Sequence, residues 1–381
     1  MKFSTCVFSV LFCFLSFHAQ NSHIDQADDL YSSGNYTKAI EAYKNLENKD
    51  QIYDKIAKAY MALGNYGEAL KFYKKSTEAN PESKLIQYEL AKLLSKVKKY
   101  NEAKDLFNAL ILKDSLNPNY HYELGIVLEK EKNPVALEKF KTTFNLDPTH
   151  QKAIFKIAKH YIFKRKFELA HQIIDIGLDS YSENIELISL KAQAYYYQEY
   201  YTHSVVWFKK LIDLGEESEF IHEKLSISYA ENYEYENAIY HRKQVLRFNP
   251  NDANTLFVIG SYYEKLSDFD KAAEYMEKSL SLQDQPLDNE YAMLARVYNS
   301  QKKYKLAIEA FQKALKENPS NLATEFFLIR TKEEYYADLD TKINLYENYI
   351  KKYKDVGTPY ADFAKVRLKD LKEEKFLKTE E

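Results

Sequence analysis

The side chains that could perform catalysis or bind a metal are few in this 381-residue sequence, and their spacing matches no familiar site. His160, Glu168 and His171 are close enough in sequence to share a metal ion, but we interpret them as surface or groove residues. His222 and Glu223 lack the second histidine at helical spacing that a zinc hydrolase requires. The other histidines are interpreted as single and scattered. The sequence therefore predicts no metal centre.

Paired carboxylates and nucleotide-binding motifs are missing as well. Adjacent acids, such as Glu333 and Glu334, point to different sides of a helix and cannot act as a catalytic pair. The sequence contains no GxxxxGK[ST], GxGxxG, GxSxG or HExxH motif. We therefore predict a protein that is not an enzyme and has no cofactor.

A small residue recurs along the chain at a period near 34 residues. It occurs at Ala39, Ala69, Ala103, Ala136, Ala170, Ser204, Ala238, Ala272 and Ala307. Twelve residues earlier, or eleven in the fourth case, stands a second small residue: Ala27, Ala57, Ala91, Gly125, Ala158, Ala192, Ser226, Gly260 and Ala295. Such a fixed period is typical of stacked helical hairpins, each with a helix A and a helix B.

Aromatic residues accompany these small residues at helical spacing. Three positions before the first series stand Tyr36, Tyr66, Tyr100, Phe167, Tyr201, Tyr235, Phe269 and Tyr304, and four positions after it stand Tyr43, Tyr73, Phe107, Phe140, Phe208 and Phe311. Small residues let two helices approach closely, and aromatic residues three or four positions away fill the adjoining groove. The pattern predicts an all-α chain.

The segment LGNYGEALKFYKKSTEANP, residues 63–81, closely resembles the second half of a tetratricopeptide repeat. The resemblance covers residues 20–320 as nine units, and departs from the pattern at Ile174 and Arg242, where an aromatic residue is usual. It implies a right-handed solenoid of antiparallel helix pairs. It also implies that a protein or peptide partner binds the concave face, which the A helices line.

Counting from the small residue of helix A at position 8, the resemblance places groove-lining side chains at positions 2, 5, 9 and 12. Together with Tyr197 from the segment discussed next, the candidate binding residues are Tyr88, Lys92, Tyr122, Phe155, Lys159, Gln193, Tyr196, Tyr197, Ile227, Phe257 and Arg296. Aromatic residues beside lysine and arginine suit peptide recognition because they supply contact area at low entropic cost. The alternative is that these side chains only pack adjacent A helices.

The segment AYYYQEYY, residues 194–201, has the densest aromatic content of the chain. Repeat packing accounts for Tyr195 and Tyr201 but not for Tyr196, Tyr197 and Tyr200. We consider two explanations, a recognition patch and inter-repeat packing combined with a bias towards tyrosine. Burial of Tyr196, Tyr197 and Phe155 between helices would exclude the patch.

The first 19 residues differ from the rest. A lysine precedes an apolar run that is too short for a confident membrane span, so we predict a signal peptide at residues 1–19 with cleavage after Ala19. Lipid anchoring is disfavoured because Cys13 follows Leu11 and Phe12 rather than small residues. Both cysteines, Cys6 and Cys13, would be lost with this segment. The mature protein is expected to be exported to the periplasm or cell-envelope surface, without a membrane span.

The repeat pattern weakens after Pro319. We predict a degenerate tenth hairpin at residues 321–355 and a capping helix with a charged tail at residues 356–381. A polar closing helix of this kind covers the exposed end of a repeat array, and its lysine and glutamate run is interpreted as a solvated face. The segment from residue 345 to 371 also resembles the tails of bacterial envelope repeat proteins.

Composition limits the partner classes. With 54 basic and 57 acidic residues, the net charge of −3 disfavours nucleic acid, whose binding proteins carry a positive excess. The sequence predicts a non-catalytic scaffold of the bacterial cell envelope that binds a protein or peptide. The alternatives are a subunit of an outer-membrane assembly or secretion machine and, from another class, a glycan- or peptidoglycan-binding accessory protein. No oligomeric state is predicted.

Overall fold

The structure is a computed structural model that describes residues 23–46, 52–283, 287–354 and 356–379. The predicted signal peptide, with Cys6 and Cys13, lies outside the described residues. All regular secondary structure within the described ranges is helical. The prediction of an all-α chain is therefore confirmed.

The chain divides into two compact units between Leu190 and Lys191, a point within helix α11. Odd-numbered helices up to α19 are the A helices of the hairpins, and even-numbered ones are the B helices. The first unit contains α1 (23–32), α2 (Tyr36–Lys44), α3 (Tyr53–Ala62), α4 (Tyr66–Ala79), α5 (Lys84–Lys96), α6 (Tyr100–Lys113), α7 (Pro118–Lys130), α8 (Ala136–Leu146), α9 (Gln151–Phe163) and α10 (Phe167–Ser180).

The second unit begins within α11 (Ile185–Tyr197). It continues through α12 (Tyr201–Asp213), α13 (Glu219–Glu231), α14 (Tyr235–Val245), α15 (Ala253–Lys265), α16 (Phe269–Ser281), α17 (Asp288–Ser300), α18 (Tyr304–Glu317), α19 (Leu322–Tyr335), α20 (Leu339–Lys352) and α21 (Pro359–Thr379). Within each unit, consecutive helices pack as neighbours. Each unit is therefore a stack of helical hairpins.

In each of the first nine hairpins, the turn from helix A to helix B uses one left-handed residue. These residues are Gly34, Gly64, Lys98, Lys132, Arg165, Glu199, Tyr233, Ser267 and Lys302. In the third hairpin, Lys99 N donates to Leu94 O at 2.8 Å and Lys98 N donates to Ser95 O at 3.2 Å, which satisfies two carbonyls at the end of α5. This pair of hydrogen bonds ends helix A at Lys96, and helix B begins at Tyr100.

The small and aromatic residues of the repeat meet in the core as predicted. Ala103 and Phe107 on α6 are both fully buried, and they pack with Ala91 of α5 in one apolar cluster. The two departures from the pattern behave differently. Ile174 is fully buried like the aromatic residues that it replaces, whereas Arg242 places a guanidinium in the core with 5% exposure.

The last three helices are held together by a buried carboxylate. Glu333 of α19 accepts a hydrogen bond from Tyr346 Oη of α20 at 2.5 Å and from Arg367 Nε of α21 at 2.7 Å. The hydrogen bond that Arg367 donates to Glu333 raises the pKa of Arg367 above its ordinary value. One side chain of α19 therefore fixes both α20 and α21.

Replacing Arg367 by alanine should destabilise α19–α21 by about 2 kcal/mol, because it leaves the buried Glu333 carboxylate with one donor fewer. Hydrogen exchange of these helices measures the change. Lys365→Ala is the control, since Lys365 makes only an exposed pair with Asp362 at 3.0 Å and should cost about 0.5 kcal/mol or less. Equal protection of α21 from hydrogen exchange in the two variants would show that Glu333 does not anchor this helix.

The closing helix is less polar than expected. Its outer side carries Phe363, Val366, Phe376 and Leu377, which are all largely exposed to solvent. Large apolar side chains therefore lie among the charges of the predicted solvated face. Other apolar residues of this helix face the rest of the unit, where Ala361, Ala364 and Leu371 are buried and Tyr360 and Leu368 pack beside them.

Candidate functional site

All eleven predicted binding residues lie on A helices, and none of them is buried. They lie on α5, α7, α9, α11, α13, α15 and α17. Tyr196 and Phe155 are half-buried and Tyr197 is exposed, so the burial that would have excluded a recognition patch is not observed. The predicted residues do not form one continuous cluster. They fall into separate groups, described below for each unit.

In the first unit, Tyr88, Lys92 and Tyr122 line one cleft of about 450 Å³. This cleft, called the first cleft here, is completed by Asn119, Glu123, His150, Gln151 and Lys152. Its walls come from α5 and α7 and from the start of α9. It therefore spans three consecutive hairpins, which is the length of surface that an extended peptide segment contacts.

The tyrosines of the first cleft are fixed by rings behind them. Tyr88 packs edge-on against Phe107 with ring centroids 6.1 Å apart, and Tyr122 lies 4.9 Å from His150. His150 is itself fixed, since its Nδ1 accepts a hydrogen bond from Ala153 N at 3.2 Å at the start of α9. The aromatic walls of the cleft are therefore preorganised.

Charge in the first cleft is mixed. Lys92 lies 4.9 Å above the Tyr88 ring and 3.1 Å from Glu89. Burial raises the pKa of the Glu123 carboxyl, although Lys92 and Lys152 oppose this effect. Burial also raises the pKa of Tyr122 to about 12, so its hydroxyl is a hydrogen-bond donor at neutral pH. The cleft therefore offers cations, a carboxyl group and a phenol beside aromatic rings.

Phe155 and Lys159 form a second group on α9. Lys159 Nζ lies 5.8 Å from the Phe155 ring centre, and its side chain is exposed. Cation–π pairs of this kind are weak at exposed sites, at about 0.5–1 kcal/mol, so Lys159 stays available to a partner.

In the second unit, the tyrosine-rich segment forms an aromatic cluster. Tyr196 contacts Tyr197 and Tyr201 with centroids 5.5 and 6.0 Å away, and Lys224 Nζ of α13 lies 4.8 Å from the Tyr196 ring centre. Trp207 lies apart from these contacts, with Lys191 Nζ at 4.3 Å from its ring centre. This tyrosine cluster has both a packed side and an exposed side.

A smaller cleft of about 270 Å³, called the second cleft, brings Phe257 and Arg296 together with Met293 and Phe327. Gln193 and Ile227 are half-buried on α11 and α13. The structure thus assembles two of the predicted residues here and three in the first cleft.

The structure corrects the interpretation of His222 and His241 as single histidines. Their Nδ1 atoms lie 3.0 Å apart between α13 and α14, and both side chains are buried. Tyr229 stacks parallel to His241 with centroids 5.5 Å apart. The two histidines are 19 residues apart in sequence, and only the packing of helix A on helix B reveals them as a pair.

This histidine pair should make the second unit sensitive to acid. Burial, together with the neighbouring His222, lowers the pKa of His241 to about 4, and burial lowers that of His222. Both imidazoles gain protons more readily in the unfolded chain, so stability is complete above pH 6.5 and falls as the pH drops towards 4. We expect the free energy of opening of α13 and α14 to fall by about 2 kcal/mol between pH 7 and pH 4.5.

Hydrogen exchange at the two pH values measures this loss. The double variant His222→Gln, His241→Gln should remove the pH-dependent part, whatever its effect on stability at pH 7. The same pH dependence in the double variant would contradict the assignment.

Within the described ranges, no group of three histidine, cysteine or acidic residues could hold a metal ion. No described helix is both long and apolar enough to cross a membrane. The candidate site therefore consists of the A-helix surface with its clefts.

Comparison with known proteins identifies the repeat. Profiles described as tetratricopeptide repeat match residues 24–84, 60–122, 253–286 and 289–321. The chain contains tetratricopeptide repeats. A crystal structure of the C-terminal part of a tetratricopeptide-repeat protein from Cytophaga hutchinsonii shares the fold, with a TM-score of 0.50 and 19% identity, covering 62% of this chain and 97% of that one. The predicted resemblance is thereby confirmed for the repeats.

Two curated relatives match parts of this chain. A repeat-containing protein from Methanocaldococcus jannaschii is 23% identical over 278 residues, covering 68% of this chain and 49% of the relative. The DnaJ homolog subfamily C member 7 homolog of Dictyostelium discoideum is 27% identical over 148 residues, covering 31% of this chain and 28% of the relative. The chain thus matches less than half the length of either relative.

Proposed function

We propose that this chain is a non-catalytic scaffold that binds an extended segment of a partner protein along its A helices. Tetratricopeptide repeats generally serve as protein-interaction scaffolds, and the proposal adds where this chain binds. The first cleft is the observation that carries it. There, preorganised aromatic walls stand beside lysines on three consecutive hairpins.

Physical chemistry favours a peptide in this cleft over a compact ligand. Tyr88 and Tyr122 are half-buried and held from behind, so little side-chain entropy is lost when a partner covers them. Lys152 and Lys159 are exposed, so each can meet a carboxylate or a backbone carbonyl of the partner. Aromatic side chains that supply contact area and lysines that supply polar contacts therefore both lie along the A helices.

We further propose that the scaffold works outside the cytoplasm, in the periplasm or at the surface of a bacterial cell envelope. The support is the sequence of residues 1–19, with its lysine, apolar run and Ala19. An alternative of the same class is that the chain is a subunit of an outer-membrane assembly or secretion machine, in which case its partner is a larger complex. Mass spectrometry of the protein from the envelope fraction should give a chain that begins at Gln20.

Crosslinked recovery from the envelope fraction of the producing cell tests the binding proposal. The test variant is Lys92→Glu, Tyr122→Ala in the first cleft. The matched control is Lys38→Glu, Tyr181→Ala, which makes the same changes at exposed positions on α2 and just after α10. A protein recovered by wild type and control but not by the test variant supports the proposal.

Two other outcomes would contradict it. Recovery of the same protein by all three forms would exclude the first cleft as its site. Retention of a glycan in place of a protein would favour the glycan-binding alternative, for which Tyr197 and Tyr200 offer exposed aromatic side chains.

A further inference from the structure

The turns from helix A to helix B in the sixth and seventh hairpins, residues 195–203 and 228–238, carry an unbalanced negative charge. They contain no lysine or arginine and four exposed glutamates, Glu199, Glu231, Glu234 and Glu236. Thr202 Oγ1 donates a hydrogen bond to Asn232 Oδ1 at 3.4 Å, so the two turns lie side by side in the second unit. We call the surface of these two turns the acidic edge.

Glu199 and Glu231 stand where a glutamate is locally unfavourable. Glu199 follows the carboxyl end of α11, and Glu231 is the last residue of α13. The carboxyl end of a helix carries partial negative charge, which favours a cation there. Other hairpins place lysine at the equivalent positions: Lys98, Lys132 and Lys302 for Glu199, and Lys96, Lys130 and Lys265 for Glu231. The acidic edge therefore lacks a stabilising contact that the same scaffold makes elsewhere.

Tyr233 occupies a backbone position that suits glycine. Its φ is +63°, in the left-handed region, where the first two hairpins have Gly34 and Gly64. A bulky aromatic residue is rare at such a φ. Packing does not explain it, because Tyr233 is 80% exposed, and Tyr200 of the neighbouring turn is 55% exposed. The acidic edge thus holds tyrosines out to solvent, one of them on a strained backbone.

The carboxylates of the acidic edge lie beside aromatic rings. Burial, and then the carboxylates of Glu231 and Glu199, raise the pKa of Tyr201, which places groups from both turns around one ring. In the same cluster, Lys224 Nζ lies 4.8 Å from the ring centre of Tyr196. These tyrosines therefore already accommodate one cation on an aromatic face.

We propose that the acidic edge binds a lysine- or arginine-rich segment of a partner protein. The basic side chains pair with the glutamates and contact the ring faces of Tyr200 and Tyr233. Charge complementarity selects this partner over an acidic segment, which the glutamates would repel. The acidic edge lies outside the first cleft, so the proposal stands independently of the proposed function.

Fluorescence anisotropy of a labelled hexa-arginine peptide, titrated with the full chain, tests the proposal. The test variant is Glu199→Lys, Glu231→Lys, which installs residues that equivalent turns already carry and should be at least as stable as the wild type. The control is Glu274→Lys, Glu317→Lys, which changes the net charge equally at exposed positions on α16 and α18. The test variant should bind about tenfold more weakly or worse, and the control within about twofold of the wild type.

Tyr233→Gly separates the aromatic contribution from the charge. This variant should fold at least as stably as the wild type, because glycine adopts the left-handed conformation without strain. It should bind hexa-arginine about threefold more weakly, since one exposed cation–π contact is lost. Tyr181→Gly removes an exposed tyrosine just after α10 and should bind like the wild type.

Three results would overturn the proposal. One is a wild type that binds hexa-arginine no more tightly than hexaglutamate. A second is equal weakening in the test variant and its control, which would reduce the effect to net charge. The third is binding of a soluble peptidoglycan fragment that is lost in Tyr233→Gly but kept in the Glu199→Lys, Glu231→Lys variant, which would assign the exposed tyrosines to a glycan.

Discussion

Phe107→Ala should lower the free energy of unfolding of the first unit by about 3–5 kcal/mol. Phe107 is fully buried at the centre of the cluster that joins α5, α6 and α7, so removal of its ring leaves a cavity that the neighbouring hairpins cannot fill. The loss should be largest in these three helices, because each repeat contacts mainly its neighbours. Hydrogen exchange resolved by segment measures both its size and its location.

The same substitution should also weaken partner binding. Tyr88 of the first cleft rests edge-on against Phe107, so its ring loses its fixed position when Phe107 is removed. Phe163→Ala is the matched control, because Phe163 is 79% exposed at the end of α9 and should change stability by less than about 0.5 kcal/mol. Equal losses of stability and of partner binding in Phe107→Ala and Phe163→Ala would contradict the assignment of Phe107 as a core residue that supports Tyr88.

Gly260→Val should destabilise the second unit by about 3 kcal/mol. Gly260 occupies the small position of helix A on α15. A Cβ atom there would lie 2.8 Å from Met276 Cγ and 3.1 Å from the Ala272 carbonyl oxygen. The side chain of Met276 can shift, but the backbone of α16 cannot move without separating the two helices of the hairpin. Thermal unfolding and hydrogen exchange of α15 and α16 measure the effect.

Gly67→Ala is the matched control for the loss of a helical glycine. A Cβ atom at Gly67 meets only Asn65 Oδ1, at 3.9 Å, in the first turn of α4. This change should stabilise the first unit by about 0.5–1 kcal/mol, because alanine has the higher helix propensity. If Gly260→Val proved equally harmless, close approach of the helices could not explain the small residues of the repeat.

The fold was predictable because its determinants are local and periodic. A small residue and an aromatic residue four positions later, such as Ala103 and Phe107, lie on one helix face whatever surrounds them. The turns are local too, since one left-handed residue and backbone hydrogen bonds end helix A in each of the first nine hairpins. Stacking then follows, because a single hairpin cannot bury its own apolar face.

Features that depend on packing between helices were not predictable. His222 and His241 meet only because α13 and α14 pack in one particular rotation. Glu333 meets Arg367, 34 residues later, through the docking of α21. The exposure of Phe363 and Val366 on α21 was missed because a count of lysine and glutamate does not show which apolar residues lie among them. In each case the decisive quantity is the rotation of one helix against another.

The candidate site was predictable in part. Its position on the A helices follows from the repeat, and all eleven predicted side chains lie there. Their division into groups does not follow from the repeat. Glu123 and His150 complete the first cleft although no repeat position marks them, because the cleft depends on where α9 begins relative to α7.

Site-specific photocrosslinking in the producing cell tests the central claim most directly. A photoreactive residue is placed at Asn119 in the first cleft, at Lys159 further along the A helices, or at Gln172 on the exposed side of α10. We predict that one protein is captured from both Asn119 and Lys159 and not from Gln172. Capture from Gln172 alone, or equal capture from all three positions, would contradict binding along the A helices.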